Sequence, residues 1–342
     1  MLNPNMAART DALPSSARAL IPWRMTLAFT IALLFVIGYS SQRSGVCMVR
    51  AARELIERRR VHRLAGFLLA AASAMLVMAV AEAMGARPFA TILGARPDGL
   101  AVAGGVLFGL GTRLSGHCAI GTLAALTAGE VSRIASLAAM FVAAILLGPN
   151  MSQAALMLPA RTPQISPLAD NMLLAFGVGG ALALIAATYL YRRLGWRKPR
   201  GGWSPLVAMT LIGAASGTLF ALDQQWVYTS RIAEVAYGEV ALTLATVAGP
   251  AALAAGMVIA AVTGGMFRWQ WGTIGQWAAA AGGGLLMGLG ATLVPGGNDT
   301  MLFTGIPLLL PNLLVAYAAF FVTLWVGLRI GKPTKPARDM GM

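Results

Sequence analysis

The chain has 342 residues, 58% hydrophobic and only 11% charged, with a formal net charge of +14. A soluble globular chain is typically about 25% charged, so this composition excludes one and points to an integral membrane protein. The 40 glycines and the apolar runs broken by Gly and Pro fit a polytopic helical protein, whereas barrel strands would alternate apolar and polar residues.

The positive charge lies between apolar spans. The positive-inside rule therefore explains it better than nucleic-acid binding, and no nucleic-acid partner is expected. Two cysteines, Cys47 and Cys118, make no disulfide framework, and their surroundings lack the paired Cys/His spacing of a structural zinc site. No cofactor and no catalytic constellation is expected: the chain has two histidines, scattered carboxylates and no phosphate-loop motif.

Residues 1–23 carry arginines, with Pro14 and Pro22, and lack the apolar core of a secretory signal; they read as a poorly ordered lead-in. Residues 25–42 are uncharged and long enough to span. They run into Arg43, Cys47 and Arg50 and a helical segment ending in the run Arg58-Arg59-Arg60. Ser44 is the expected N-cap there. That places Cys47 in the first turn, where a helix N-terminus favours anions and thiolates.

A second span covers 64–84, and a polar loop covers 87–98. The central stretch 104–123 reads GGVLFGLGTRLSGHCAIGTL. It is apolar at both ends and broken by Arg113, Ser115, Gly116, His117 and Cys118. The glycines alone would mean close helix packing. An Arg, a His and a Cys together at membrane depth mark a functional site. Residues 119–128 are too short to cross. Further spans follow at 134–147 and 171–191, separated by a Pro-rich loop over 148–170. The chain then enters the basic linker 193–203, placed in the cytoplasm.

The second half reads as a worn copy of the first. GGLLMGLG at 283–290 matches GGVLFGLG at 104–111, a shift of 179 residues from Gly111 to Gly290. Spans at 205–222, 241–266, 274–291 and 313–328 complete this half, and residues 225–231 fall opposite the Cys47–Arg50 region. The divisions are a first membrane repeat over 24–192, a second over 204–330 and a basic cytoplasmic tail over 331–342. The segment after the first span is basic in one copy and acidic in the other, as opposite orientation would produce. The second copy breaks at Pro295-Gly296-Gly297-Asn298-Asp299, where Asp299 is expected to cap a helix. Matching broken segments in two halves point to a binding site between them. The expected fold is an all-α polytopic membrane protein. Its two pseudo-symmetric, inverted repeats bring short re-entrant helices together at a central constriction.

Soft sulfur beside cations and helix N-termini suits a sulfur-bearing anion. The candidate path residues are Cys47, Cys118, His117, Gly116, Gly296, Gly297, Asn298, Arg43, Arg50 and Arg113. A thiol oxidoreductase would need Cys47 and Cys118 within about 7 Å between Cα atoms.

GLGTRLSGHCAIGT at 109–122, RSGVCMVRAARE at 43–54 and LGATLVPGGNDTMLFTGIP at 289–307 resemble the YeeE/YedE sulphur-transport family of bacterial inner-membrane proteins. The resemblance implies an hourglass-like body with a positively lined constriction and cysteines as stations for a sulfur anion, most directly thiosulfate. Carried over by position, Cys47 and Cys118 are two stations. The family's third cysteine would fall in the second break, where this chain has Gly-Gly-Asn-Asp. The implied protein is a multi-pass permease of the inner membrane, lying in the lipid bilayer with its C-terminus in the cytoplasm. The alternative is a membrane sulfur-relay protein working with a soluble sulfurtransferase.

Overall fold

The computed structural model describes residues 23–90, 94–95, 97–156, 163–194, 202–222, 244–294 and 296–330. The expectations for the lead-in, most of the basic linker, residues 225–231, Pro295 and the tail lie outside the described residues. In chain order the helices are α1 (Trp23–Ser44), α2 (Met48–Arg58), α3 (His62–Ala83), α4 (Gly99–Ser115), α5 (Ala119–Thr127), α6 (Arg133–Leu156) and α7 (Met172–Leu194). There follow α8 (Pro205–Leu222), α9 (Leu244–Thr263), α10 (Ile274–Leu293), the single turn α11 (Asn298–Thr300), a π-helical turn (Met301–Gly305) and α12 (Pro311–Ile330). Among the described residues the regular structure is helical apart from a two-residue antiparallel pair, β1 (Gly94–Ala95) with β2 (Pro163–Gln164), and an isolated parallel bridge of Glu130 with Gln270; a 3-10 turn covers Pro88–Ala90. The loop expected over 148–170 starts later than the sequence suggested, because α6 carries Pro149 within it and runs to Leu156.

Among the described residues, five helical stretches are long and apolar enough to cross a membrane: His62–Ala83, the interrupted Gly99–Thr127, Met172–Leu194, Pro205–Leu222 and Pro311–Ile330. A sixth is reached if α10 and the turn after it count as one span bent by 51°. At 11 residues, α2 is too short to cross. It is amphipathic instead: Met48, Val49, Ala51 and Ala52 are buried, while the residues between and after them are mostly charged.

The helices pack in a pattern that survives exchange of the two halves. If α1, α3, α4 and α6 are exchanged with α8, α9, α10 and α12, the contact of α1 with α9 becomes that of α8 with α3. In the same way the contact of α4 with α12 becomes that of α10 with α6. All four contacts are present, and α4 also packs on α10, and α1 on α8. Helix α7 packs mainly on α3 and has no counterpart after α12 among the described residues.

Glycine makes these contacts close. Without a driving force from water between helices in lipid, small residues let backbones approach and gain dispersion contacts. A Cβ added at Gly111 would lie 2.5 Å from the Gly283 carbonyl oxygen, and one at Gly290 would lie 2.6 Å from that of Gly104. Gly105 and Gly109 give the same access to α12, and Gly284 and Gly288 to α6. Most glycines of the central stretch are therefore packing residues. Gly116 and Gly121 differ: Gly116 has nothing within 4 Å of an added Cβ, and Gly121 packs on the two cysteine sulfurs.

Candidate functional site

Two short helices begin at the two cysteines. Cys47 is the N-cap of α2 and Cys118 the N-cap of α5, both with extended backbone (φ −159°, ψ 124° and φ −78°, ψ 175°). Ser44, expected to cap α2, instead ends α1 and donates its hydroxyl to the Ser40 carbonyl at 2.8 Å. Gly45 takes φ +64° between the two helices, and the N-cap position falls three residues on, at Cys47. In the central stretch α4 ends at Ser115. Gly116 closes it at φ +80°, a left-handed conformation that glycine adopts without a Cβ penalty, and its N–H donates to the Thr112 carbonyl at 3.0 Å. Arg133 holds this break in place. Its Nη1 donates to the Ser115 carbonyl at 2.8 Å and its Nε to Glu130 at 2.9 Å.

The two thiols meet. Both are buried, at 4% and 1% exposure, and both are free. A Cβ on Gly121 would lie 2.9 Å from the Cys47 sulfur and 3.4 Å from the Cys118 sulfur, so both crowd onto one bare patch of α5. The sulfurs lie within hydrogen-bonding reach of each other. The Cys118 N–H faces the Cys47 sulfur, and the Met48 N–H faces the Cys118 sulfur. Each thiol thus sits against N-terminal amides of both short helices, its own (Arg50 for Cys47, Gly121 for Cys118) and the other's, where the helix dipole is positive.

Two cations lie on the Cys47 side of this pair. The Nη1 atoms of Arg50 and Arg63 both lie within 3.4 Å of where a Cβ on Gly45 would be. Arg63 also donates to the Gly45 carbonyl at 2.9 Å and pairs with Glu54 at 3.4 Å. Among the described residues Arg50 has no carboxylate within ion-pair distance. His117 is buried, and its Nδ1 has no hydrogen-bond partner among the described residues. Above α2, Tyr317 donates its hydroxyl to the Met48 sulfur at 3.9 Å.

The second break faces α5 as well, because α11 packs on it. Gly296 takes φ +127°, and Gly297 is the N-cap of α11 with φ −90° and ψ −167°, dihedral angles similar to those of Cys118. These two caps are also 179 residues apart, the shift of the glycine motif. Asn298 is buried, and its Oδ1 has no partner among the described residues. Asp299 is not the cap expected from sequence, since Gly297 holds that position. Its side chain lines a small cavity of about 50 Å³ with Ser41, Ser216, Thr304 and apolar residues such as Leu253 and Met257.

The structure brings Cys47 to Cys118, which Gly116 and His117 precede in the chain, and places Arg50 near Cys47. It places Arg43 and Arg113 in other contacts. Arg43 donates to the Tyr39 hydroxyl and to Thr263, both at 3.1 Å, and so ties α1 to α9. Arg113 donates from Nε to the Gly327 carbonyl on α12 at 3.0 Å. Sequence reasoning missed Arg63, Tyr317 and the role of Arg133. Arg133 carried a signal in its i, i+3 spacing from Glu130. Tyr317 lies in an unbroken apolar run and carried none.

Two buried thiols at the N-termini of short helices, with Arg50 and Arg63 near Cys47, interrupt the apolar helices of a membrane protein. The Sulphur transport family model matches residues 43–326, most of the chain, and the chain belongs to that family. It is accordingly a multi-pass membrane protein of a family that transports sulfur compounds. No individual curated protein matches the chain.

Proposed function

We propose that the chain is a permease for a sulfur-containing anion, thiosulfate first, in the bacterial inner membrane. The observation that carries this reading is the meeting of Cys47 and Cys118 at the N-termini of two short helices beside Arg50. Arg50 and Arg63 draw the anion in. The N–H groups of the first turns replace part of its hydration, and the thiols make weak S–H contacts to its terminal sulfur. His117 and Asn298 offer polar atoms that have no other partner among the described residues. Beyond the thiol pair, Gly296, Gly297 and Asn298 present backbone and amide groups in place of a third thiol. Binding at each point stays weak enough for release.

We read the two halves as inverted repeats, each supplying a broken crossing at the constriction. The packing pattern that survives exchange of the halves supports this reading. Helix α7 supplies the uneven crossing. With α1, α3, the α4–α5 pair, α6 and α7 each crossing once, α8 starts on the opposite side from α1. Four further crossings return the chain to that side. The basic linker and the basic tail then both lie in the cytoplasm, as their charge requires. Residues 24–192 and 204–330 form the two repeats.

The test is uptake of radiolabelled thiosulfate by proteoliposomes of purified protein, with sulfate and empty vesicles as controls. Saturable uptake blocked by a thiol-alkylating reagent is expected. Absence of uptake from folded protein rejects thiosulfate as the substrate. The adjacency of the thiols also favours a second reading, a sulfur-relay protein serving a soluble sulfurtransferase. That reading requires a persulfide on Cys47 or Cys118 in protein kept from reductants, detected by mass spectrometry.

A further inference from the structure

The thiol pair has a chemistry that passage alone does not use. Disulfide closure brings two sulfurs to about 2.05 Å, and here both start from hydrogen-bonding reach over the bare surface of Gly121. Gly45 precedes the α2 cap by two residues and Gly116 precedes the α5 cap by two, both at positive φ. Each cap can therefore adjust without moving its helix. Arg50 lies on the Cys47 side and stabilises a thiolate there, the form that attacks sulfur. No other cysteine exists in the chain to compete for the partner.

We infer that Cys47 and Cys118 form a dithiol–disulfide couple that is oxidised by polythionates, anions with an internal S–S bond, and that the disulfide closes the path. The inference rests on the permease reading for its second half only. In the first step the Cys47 thiolate attacks an inner sulfur of tetrathionate. The inner S–S bond breaks, and one thiosulfate leaves with the electron pair. Cys47 then carries an S–SO3 group. The Cys118 thiolate attacks the Cys47 sulfur, the bond to the S–SO3 group breaks, and a second thiosulfate leaves. The two thiols have lost two electrons and two protons. Tetrathionate has gained the electrons and become two thiosulfates, and the protons pass to water. The disulfide ties the N-terminus of α2 to that of α5 and removes both S–H donors, so a sulfur anion no longer passes.

Reduced full-length protein is mixed with tetrathionate in detergent, and released thiosulfate and the cysteine-containing peptides are measured. The expected result is two thiosulfates per chain and a Cys47–Cys118 disulfide. Cys47→Ser and Cys118→Ser chains should each halt with the remaining thiol as a thiosulfate adduct and one thiosulfate released. In proteoliposomes, uptake by oxidised wild type should fall to the empty-vesicle level and return with dithiothreitol. The inference is overturned if wild type stops at single adducts. It is equally overturned if neither thiol reacts in the folded chain while both react after unfolding, or if disulfide-linked protein transports as well as reduced protein. If reduced protein shows no uptake at all, the permease reading fails, and the thiosulfate count and the peptide map still decide the couple.

Discussion

The glycine contact between α4 and α10 sets the spacing of the two halves, and Gly111→Ala measures it. Ordinary van der Waals contact begins at 3.4 Å, and the new Cβ would lie 2.5 Å from the Gly283 carbonyl oxygen and 2.6 Å from the Met287 nitrogen. Backbone atoms cannot swing away as a side chain can, so the helices must part by roughly 1 Å at the crossing. A gap of that size forfeits about a quarter to a half of the dispersion energy of neighbouring contacts, which include Gly290 on the Gly104 carbonyl and Gly283 on Ser115. The expected loss is about 1–3 kcal/mol, the usual cost of overpacking. Gly180→Ala in α7, where nothing lies within 4 Å of the added Cβ, serves as the control. It should be neutral, or stabilising by up to about 1 kcal/mol from the lost flexibility of glycine. The assay is thermal unfolding of purified protein in detergent. Gly283→Ala should cost a similar amount. The double variant should cost less than the sum of the two, because one opening serves both methyl groups. Strict additivity, or a Gly111→Ala chain as stable as wild type, would falsify the close-packed crossing. Because Gly283 abuts Ser115 at the break, its variant should also slow thiosulfate uptake in chains that still fold.

Cys118→Ala should abolish uptake while the protein inserts and folds; normal uptake by a well-expressed chain sinks the role of the thiol. Arg50→Gln should weaken anion uptake through KM by tenfold or more, since one charge acting over roughly 8 Å at an effective dielectric of about 20 contributes about 2 kcal/mol. Arg113→Gln should leave KM near wild type and lower stability by about 1 kcal/mol, the worth of its bond to Gly327; equal KM effects from the two arginines would contradict their placement. Arg133→Gln should cost about 3 kcal/mol of stability, because it strands Glu130 and frees the Ser115 carbonyl, and an unchanged melting temperature would refute the clamp. Membrane-impermeant labelling of single cysteines added to a cysteine-free chain should reach residues of the lead-in from outside and the tail only after permeabilisation; labelling of both ends from one side would remove the uneven count of crossings.

The class of the protein was legible in composition, because a bilayer demands long runs of uncharged residues and the chain supplies them. The two breaks were legible too, since His117 and Cys118 interrupt one apolar run and Asn298 and Asp299 the other, and polar groups there have no packing explanation. The likeness of GGVLFGLG to GGLLMGLG was plain in the sequence, as was the family in the motifs around Cys47, Cys118 and Asn298. What local sequence could not carry was proximity. Cys47 and Cys118 are 71 residues apart, and only the crossing of helices through glycines brings their sulfurs over the same bare position, Gly121. Arginine roles were hidden for the same reason. Arg43, Arg50 and Arg113 look alike in sequence, yet the first is bound to Tyr39 and Thr263, the third to Gly327, and the second stands beside the thiols. Caps moved for a related reason: a positive φ at Gly45 passes the helix start from Ser44 to Cys47. Sequence determined which groups enter the membrane, because burial in lipid is a property of each segment. Tertiary structure alone decided which of them meet, because that depends on backbone-to-backbone distances set by residues far away in the chain.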